Sequence, residues 1–564
     1  MRRSCLSRWP GLALAAALAW PAMLAAQYNA PPTPAAYALQ GVTVVSADGS
    51  RLAEVNVVIR RGLIEAMGPD VVIPPDARVL EGDSLFIYPG IVDAQGSAAY
   101  EFPEIEVDRS EIAPWDPPRN VQSFMPHRKV VDYLTQTGPG LADKRQEGLV
   151  AAAVHPDGRL MPGRGTVLVF RNEAMVPEEL VVRPVLGPTL SFGGAQGVYP
   201  STLFAVIAFY RQTFEDARHQ GAQVAAYGRD PEGLNAPVWD PDLDVMRELM
   251  GGAPAFFAVD YGRDIQRVLG LADEYGFHPV IVGGDEAWKV ADELKAWGTP
   301  VLVSLDFPKP ERWKPDKDEQ EEEEPGNGSG DDDDEMDAAT QREKQRLEDI
   351  YANAGRLSAA GVQFALTSGG GQADILEGAR KAIEYGLSEE AALSAITVTP
   401  ASLLGLDGIT QIEESRAATF VVTDGPLFDE ETAVLYTFVE GGLEVGKKAR
   451  GTGEAPAVNM TGTWEMTVDS EMGSMSAKVI FTQDGAEFAG SMQSDFGESK
   501  IKDGVVSGND ITFTVVFAMG GESTELEFTG TAEGDQASGS SDGPFGSISW
   551  TAKRSGGPGE EIER

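Results

Sequence analysis

The stretch Tyr88 to Ser97, YPGIVDAQGS, decides how this chain is interpreted. Its apolar run, Pro-Gly step and terminal carboxylate Asp93 are typical of a buried strand that ends at a functional site. The polar side chains at this strand end also include Gln95 and Ser97, which are neutral oxygen donors and weak metal ligands. The rest of the sequence must therefore decide between a metal site, a lost metal site and neither.

Length and composition set the first limits on the fold. With 564 residues, the chain exceeds what one hydrophobic core usually organises, so two or three domains are expected. Hydrophobic residues make up 42% of the chain and aromatic residues 8%, which is enough to build sizeable cores. The composition therefore indicates a globular protein.

The N-terminus has the pattern of a signal peptide over residues 1–26. Three arginines accompany an apolar run, Gly11 to Leu24, which is too short to span a bilayer and is broken by Pro21. A retained membrane anchor is the less favoured alternative for the same two reasons. We expect a mature chain that begins near Gln27, is exported to the periplasm or the extracellular space, and has no membrane association after cleavage.

Cysteine and histidine usage restricts the available chemistry. The single cysteine, Cys5, lies in the predicted signal, so the mature chain can form no disulfide and can offer no thiolate. The histidines, none of which pair at HxH or HxxxH spacing, are His127, His155, His219 and His278. A multi-histidine metal centre is hard to build from this set.

Charge is strongly negative, at −43 for the whole chain, which disfavours binding to nucleic acid and to anionic lipids. Part of the charge is local, because Asp316 to Asp337 holds thirteen acidic residues and one lysine. This composition predicts a disordered acidic insertion over residues 309–340. Calcium binding by Asp331 to Asp334 is the alternative, and the absence of EF-hand spacing disfavours it.

Strand and helix patterns divide the mature chain into domains. Residues 27–88 contain short apolar runs between turn signals, as in a small β-unit. Residues 89–405 alternate buried-strand runs such as PAFFAVD with helical stretches such as Asp264 to Tyr275. This repeated order predicts an α/β domain built as a TIM-like (β/α)8 barrel, interrupted by the acidic insertion.

The sequence after the predicted barrel returns to strand patterns. Residues 406–446 predict further β-structure, and residues 447–460 form a linker rich in small residues. Residues 461–555 contain only short alternating segments separated by glycine turns. They predict a separate all-β domain, which is a meander closed as a small barrel or folded as a sandwich.

Several segments together resemble the amidohydrolase superfamily, specifically its imidazolonepropionase-like and prolidase-like branch. In that family the first barrel strand ends in P-G-[LI]-[IV]-D-x-H-x-H, which aligns with Pro89 to Ser97. The other matching segments are Val280 to Leu294, Phe364 to Gly371, Leu387 to Gly408 and Ala418 to Phe428. The resemblance covers about Tyr37 to Val445, and it implies that residues 27–88 and 406–446 fold together as a composite β-sandwich.

The resemblance implies hydrolysis of C–N bonds, for which the family uses zinc or another divalent ion to lower the pKa of a bound water. The family's metal positions are degenerate here. Gln95 and Ser97 align with the histidine pair, Gly283 with the strand-six histidine, and Gly369 with the metal-binding aspartate. We therefore expect no metal cofactor and a disabled family mechanism.

Two carboxylates at predicted strand ends are the candidate catalytic residues. Asp260 and Asp306 could each act as an acid or base at the barrel mouth, although a solvated loop aspartate is a simpler interpretation of Asp260. Ser304, Thr367 and Ser368 could face the same mouth. Their order along the chain does not define a Ser-His-Asp arrangement.

Other polar and aromatic residues have structural interpretations. Asp93 is expected to be a buried strand-end carboxylate bonded to backbone amides, and His155 to be a structural hydrogen bonder. Trp464 and Trp550 bracket the C-terminal domain and are expected in its core, with ligand stacking as the less favoured alternative.

Two hypotheses for function follow. In the first, the protein is catalytically silent, and it forms a hetero-oligomer with an active amidohydrolase relative or binds a small peptide-like ligand. In the second, it is an active exported hydrolase of amide or cyclic amide bonds that uses a rearranged site around Asp260 and Asp306. A third possibility, a carbohydrate-binding or surface-binding C-terminal domain, has no specific motif behind it.

Overall fold

The computed structural model describes residues 36–80, 84–103, 112–308, 338–430, 432–446, 457–470, 473–494, 497–519, 522–543 and 546–556. The predicted signal peptide lies outside these ranges. So do Asp316 to Asp337, including the calcium candidates Asp331 to Asp334, and residues 447–456 of the predicted linker.

Strands from the two flanks of the central domain pair in one eight-stranded sheet. The N-terminal strands are β1 (Ala36–Val45), β2 (Arg51–Arg60), β3 (Leu63–Gly68), β4 (Ala77–Leu80) and β5 (Phe86–Pro89). The order is β18-β17-β16-β5-β1-β2-β3, with β4 beside β1, where β16, β17 and β18 are Phe420–Thr423, Val434–Val439 and Gly442–Val445. The antiparallel β5–β16 pairing thus joins the flanks on either side of the central domain.

The central domain is a mixed α/β unit, which confirms the coarser part of the fold prediction. Its strands are β6 (Ile91–Gly96), β7 (Leu149–Val154), β8 (Gly163–Arg164), β9 (Thr166–Val169), β10 (Val181–Arg183), β11 (Pro188–Ser191), β12 (Pro254–Val259), β13 (His278–Gly283), β14 (Val301–Ser304) and β15 (Phe364–Thr367). They form two sheets, ordered β10-β9-β7-β6 and β15-β14-β13-β12-β11-β8.

Helices surround these two sheets and complete the α/β unit. They are α1 (Arg119–Gln122), α2 (Ala142–Gln146), α3 (Leu203–Arg229), α4 (Pro241–Met250), α5 (Gly262–Tyr275), α6 (Ala291–Trp297), α7 (Ala338–Tyr351), α8 (Asn353–Ala360), α9 (Ile375–Glu384), α10 (Glu389–Ile396) and α11 (Val398–Leu404). The core between helices and strands is apolar, with side chains such as Phe257, Ile281 and Leu366 fully buried.

A TIM-like barrel has parallel strands throughout, and this expectation is wrong for the segment that contains β8, β9 and β10, where β10 is antiparallel to β9. β6 and β7 run parallel, and so do β11 to β15, but β9 is antiparallel to β7 and β8 is antiparallel to β11. Only residues 155–162 connect β7 to β8. A parallel return needs a crossover of about a dozen residues or more, so this short connection reverses the strand.

The carboxyl ends of β6 and β15 meet. Gly370, just after β15, donates its backbone N–H to the carbonyl oxygen of Gln95 in β6 at 2.7 Å. Residues at the ends of the first and last parallel strands are therefore neighbours in space, although more than 260 positions separate them in sequence. This meeting point positions the candidate site.

The C-terminal region is a closed barrel of eight antiparallel strands, the first of the two architectures expected for it. The strands are β19 (Gly462–Ser470), β20 (Gly473–Asp484), β21 (Glu487–Ser494), β22 (Gly497–Ser507), β23 (Asp510–Met519), β24 (Glu522–Glu533), β25 (Gln536–Gly543) and β26 (Gly546–Gly556). Trp464 and Trp550 lie in its core with at most 1% of their surface exposed, which confirms their structural interpretation.

Candidate functional site

Asp93, in β6, is held by hydrogen bonds from both strand ends. Ser368 donates its hydroxyl to Oδ2 of Asp93 at 2.5 Å, and the backbone N–H groups of Gln95 and Ser368 donate to Oδ1 at 3.0 and 3.3 Å. Burial raises the pKa of Asp93, and these hydrogen bonds oppose that shift. Asp93 is fully engaged inside the fold, in agreement with its structural interpretation.

Gln95 is engaged in the same way. Its carbonyl oxygen accepts the backbone N–H of Gly370 at 2.7 Å, and its Oε1 lies 3.4 Å from the hydroxyl oxygen of Thr367, which is 3.2 Å from the carbonyl oxygen of Val303. We call Asp93, Gln95, Thr367, Ser368 and Gly370 the β6–β15 clasp. The clasp uses the polar atoms at these strand ends to bind the strands to each other.

Glycines beside the clasp leave no space for ligand side chains. A Cβ added at Gly369 would lie 2.6 Å from the hydroxyl oxygen of Ser304, and one added at Gly371 would lie 2.3 Å from that of Ser97. Both glycines have positive φ, at 66° and 86°. The void beside Asp93 and Ser97 measures about 10 Å³, which is less room than a small ligand needs.

Gly283, which aligns with the family's strand-six histidine, lies against Asp260. A Cβ at this position would be 2.2 Å from Oδ1 of Asp260, and the φ of Gly283 is +91°. The Asp260 carboxylate therefore occupies the space that a side chain at position 283 would need.

Asp260 lies in a second polar region with Asp285, which the sequence analysis did not single out. Burial raises the pKa of Asp285 to about 6, and the negative charges of Asp260, Glu286 and Asp306 add to that shift while Arg346 opposes it. Burial also raises the pKa of Asp260. The strand ends thus bring Asp260 and Asp306 close enough to Asp285 to affect its ionisation.

A sequence signal for Asp285 was present in GGDEA, which follows a buried strand directly. The carboxyl ends of parallel strands meet at one edge, so polar residues just after a strand are candidates for a site there. The alignment with the family drew attention to Gly283 and away from the aspartate two residues later.

Ser304 is the last residue of β14, and Asp306 follows the strand. The backbone N–H of Asp306 donates to the hydroxyl of Ser304 at 3.2 Å, and the Asp306 side chain is exposed. No described contact joins either residue to a histidine, so the structure builds no Ser-His-Asp arrangement from the residues it describes.

His155 makes a structural hydrogen bond through one of its two ring nitrogens. Its Nε2 lies 3.1 Å from the carbonyl oxygen of Ala94, and its ring packs on Phe256 with centroids 4.6 Å apart. Burial lowers the pKa of His155 to about 4, so the ring is neutral and Nε2 donates. Within the described chain, Nδ1 has no partner.

The family's metal does not fit these residues. The described residues contain no group of three or more histidine, cysteine, aspartate and glutamate side chains placed to hold a metal ion. Two aligned positions are glycines without a side-chain donor, and the oxygen of Gln95 is bonded within the clasp. The donor chemistry therefore differs from the imidazole and carboxylate sets that hold zinc.

Comparisons with known proteins support the fold. An amidohydrolase structure from Thermotoga maritima MSB8 matches with a TM-score of 0.56 and 22% identity, over 72% of this chain and 99% of that one. A prolidase complexed with N-methylphosphonate-L-proline matches with a TM-score of 0.41 and 15% identity, over 73% of this chain and 100% of that one. An Xaa-Pro dipeptidase with bound methionine matches with a TM-score of 0.38 and 13% identity, over 73% of this chain and 100% of that one.

The first of these likenesses shows that the chain has the amidohydrolase fold, so the predicted resemblance is confirmed at that level. No protein-family model and no curated protein matches the sequence. A search of the described helices finds none that is both long and apolar enough to cross a membrane.

Proposed function

We propose that this chain is an exported protein with the amidohydrolase fold that has lost the family's metal-dependent hydrolysis and acts by binding. The observation that carries the proposal is the β6–β15 clasp, which uses the polar groups of Asp93, Gln95 and Ser368 in hydrogen bonds to each other. A metal centre needs such groups free to act as donors. No metal cofactor is part of the proposed function.

The proposal includes the finer expectations from the sequence. The central domain is interpreted as a (β/α)8 barrel with antiparallel strands in one segment, and the mature protein as periplasmic or extracellular. Its partner is an active, HxH-bearing amidohydrolase relative or a small peptide-like ligand. Neither nucleic acid nor membrane is a partner.

Activity measurements on the purified mature chain test this proposal. The chain is incubated with a panel of dipeptides and lactams, with and without Zn²⁺ or Mn²⁺, beside an HxH-bearing amidohydrolase as a positive control. We expect no turnover above the uncatalysed rate under any condition. Metal-dependent turnover that titrates with protein concentration would contradict the proposal.

A tagged chain recovered from its own host tests the partner interpretation. We expect an HxH-bearing relative to copurify in a fixed ratio, and the mature N-terminus to begin near Gln27. A monomer without any such relative would overturn the partner interpretation and leave ligand binding as the proposed role.

A rearranged hydrolase site is the second candidate function, and one observation favours it. Burial raises the pKa of Asp285 to about 6, and the negative charges of Asp260 and Asp306 contribute to that rise. Carboxylates whose pKa values differ can divide the roles of acid and base. If slow metal-independent turnover occurs, Asp260→Asn, Asp285→Asn and Asp306→Asn should each abolish it, and activity that survives all three would exclude this site.

A further inference from the structure

A cavity opens between the carboxyl ends of β12 and β13 and the side of α7. It has a volume of about 380 Å³ and is lined by residues that include Asp260, Tyr261, Asp285, Trp288 and Arg346. Sites for small molecules in proteins start at roughly 300 Å³. This cavity is therefore large enough for a small organic ligand, in contrast to the void at the β6–β15 clasp.

Three of the seven charged residues that line the cavity are in ion pairs. Lys289 contacts Glu286 at 2.7 Å, and Glu286 also accepts the backbone N–H of Gly262 at 3.1 Å. Asp349, on α7, contacts Arg356 at 2.7 Å. The other charged residues of the lining are the strand-end carboxylates Asp260 and Asp285 and, on α7, Arg342 and Arg346.

Asp260 and Asp285 have few partners of their own. Within the described residues, no side-chain hydrogen bond to either carboxylate is found, and the backbone N–H of Gly284 beside Asp260 donates to the carbonyl oxygen of Val259 at 2.9 Å. Burial raises the pKa of Asp285, which is half-buried, and also that of Asp260, although Asp260 is exposed at the end of its strand. Arg346 attracts Asp285, but its side chain is exposed and its charge is screened by water.

Aromatic rings complete the wall beside these carboxylates. The guanidinium carbon of Arg356 lies 4.2 Å from the centroid of the Trp288 ring, and Nζ of Lys289 lies 5.4 Å from it. Tyr261 exposes 54% of its surface next to Asp260. Aromatic faces attract cations through the ring quadrupole, and because Trp288 already has two protein cations beside it, Tyr261 is the ring that can add to the preference set by the carboxylates.

From this arrangement we infer that the cavity binds a small organic cation, a primary ammonium or a guanidinium group on an apolar or aromatic body. The cationic group bonds to Asp260 and Asp285, and the body packs against Trp288 and Tyr261. This inference deepens the binding role proposed above and rests on it in one respect, that the ligand is released unchanged.

Three probes of similar shape and different charge test the inference on the mature full chain. Benzylamine is a cation at pH 7.5, benzyl alcohol is neutral and benzoate is an anion. Binding is followed by titration calorimetry and by ligand-observed NMR. We expect benzylamine to bind about tenfold or more tightly than benzyl alcohol, because desolvated charge pairs contribute this much, and benzoate not to bind.

Single substitutions identify the residues that bind the benzylamine probe. Asp285→Asn should weaken benzylamine binding by about tenfold, and Arg346→Gln should strengthen it because it removes a competing positive charge. Asp273→Asn, an exposed carboxylate on α5, makes the same change in net charge and should leave binding unchanged. Circular dichroism of each variant establishes that it is folded, and Asp260→Asn replaces Asp285→Asn if the latter is not.

Two results would overturn the inference. One is equal binding of all three probes, and the other is tighter binding of benzoate that disappears in Arg346→Gln. Both would leave the proposed loss of metal-dependent hydrolysis untouched. Conversely, chemical conversion of a bound amide probe by the chain would contradict the proposed function, even if cation binding is as expected.

Discussion

The β6–β15 clasp and the cavity at β12 and β13 are built from the same kind of position and behave differently. Both consist of polar residues at the carboxyl ends of parallel strands. In the clasp, Asp93 accepts three hydrogen bonds and the adjoining void is about 10 Å³. In the cavity, Asp285 accepts no described side-chain bond and the space is about 380 Å³.

The difference shows that polar residues at strand ends can either hold the fold together or remain available to a ligand. A carboxylate that is surrounded by donors within the fold stabilises the fold and has little left to offer a ligand. A carboxylate that burial leaves poorly compensated gains from a cationic partner. We expect the clasp to affect stability and the cavity to affect binding.

Ser368→Ala should give the largest effect. The substitution removes the 2.5 Å hydrogen bond to the fully buried Asp93 and leaves that carboxyl group without its hydroxyl donor. We expect a loss of about 3 kcal/mol in the free energy of unfolding, as for a buried polar group left unsatisfied. Urea unfolding measures it, and a loss below about 0.5 kcal/mol would show that the clasp does not hold the strand ends.

Gly369→Asp, which restores the family's aspartate, should be the next most damaging change. The new Cβ would meet the hydroxyl of Ser304 at 2.6 Å, at a backbone φ of +66°. We expect a loss of about 2 kcal/mol from crowding and strain. Thermal unfolding with and without Zn²⁺ measures it, and stabilisation by zinc would contradict the view that the space is filled.

Asp285→Asn should stabilise the fold modestly, and the size of this stabilisation should depend on pH. The folded-state pKa of Asp285 is raised to about 6, above the usual value of 3.8, so the folded protein keeps a proton that the unfolded chain has lost. The bound proton therefore favours the folded state near pH 4, and this contribution to the free energy of unfolding is lost as the pH rises through 6. Allowing for screening, we expect the variant to be about 1 kcal/mol more stable at pH 8.

Unfolding of the wild type and Asp285→Asn at pH 4.5, 6 and 8 tests this point. The difference in stability between them should grow with pH over this window. A constant difference, or one that grows towards low pH, would mean that the Asp285 carboxylate is satisfied within the fold, which would remove the contrast between the two sites.

Ser97→Ala should give the smallest effect. Ser97 aligns with a family metal ligand and lies beside the clasp, but its side chain is exposed and no hydrogen bond is described for it. We expect a change within about 0.5 kcal/mol, as is usual for surface substitutions. The measurement uses the same conditions as for Ser368→Ala. A larger loss of stability would show that Ser97 belongs to the clasp.

The sequence predicted much of the fold because strand and helix periodicities are local. Runs such as Pro254–Val259 and Phe364–Thr367 are strands as expected, and the predicted helix Asp264 to Tyr275 lies within Gly262–Tyr275. The reversal at Thr166–Val169 was missed because its cause is the length of a connection and not a residue pattern.

The site was harder to predict from sequence than the fold. Alignment with a family indicates which donors are missing, but it does not indicate what fills their place. That Ser304 lies against Gly369 and Asp260 against Gly283 depends on contacts between strands far apart in sequence. The raised pKa of Asp285 likewise comes from burial and from neighbouring strand ends, neither of which the local sequence encodes.

The central claim is that the clasp leaves no metal centre at the meeting point of β6 and β15. The most direct test is the metal content of the purified mature chain, measured by mass spectrometry after loading with zinc and dialysis, beside an HxH-bearing amidohydrolase treated identically. The account predicts far less than one ion per chain, with no change in Ser97→Ala. One or more tightly held ions per chain would contradict it and would direct attention to donors outside the clasp.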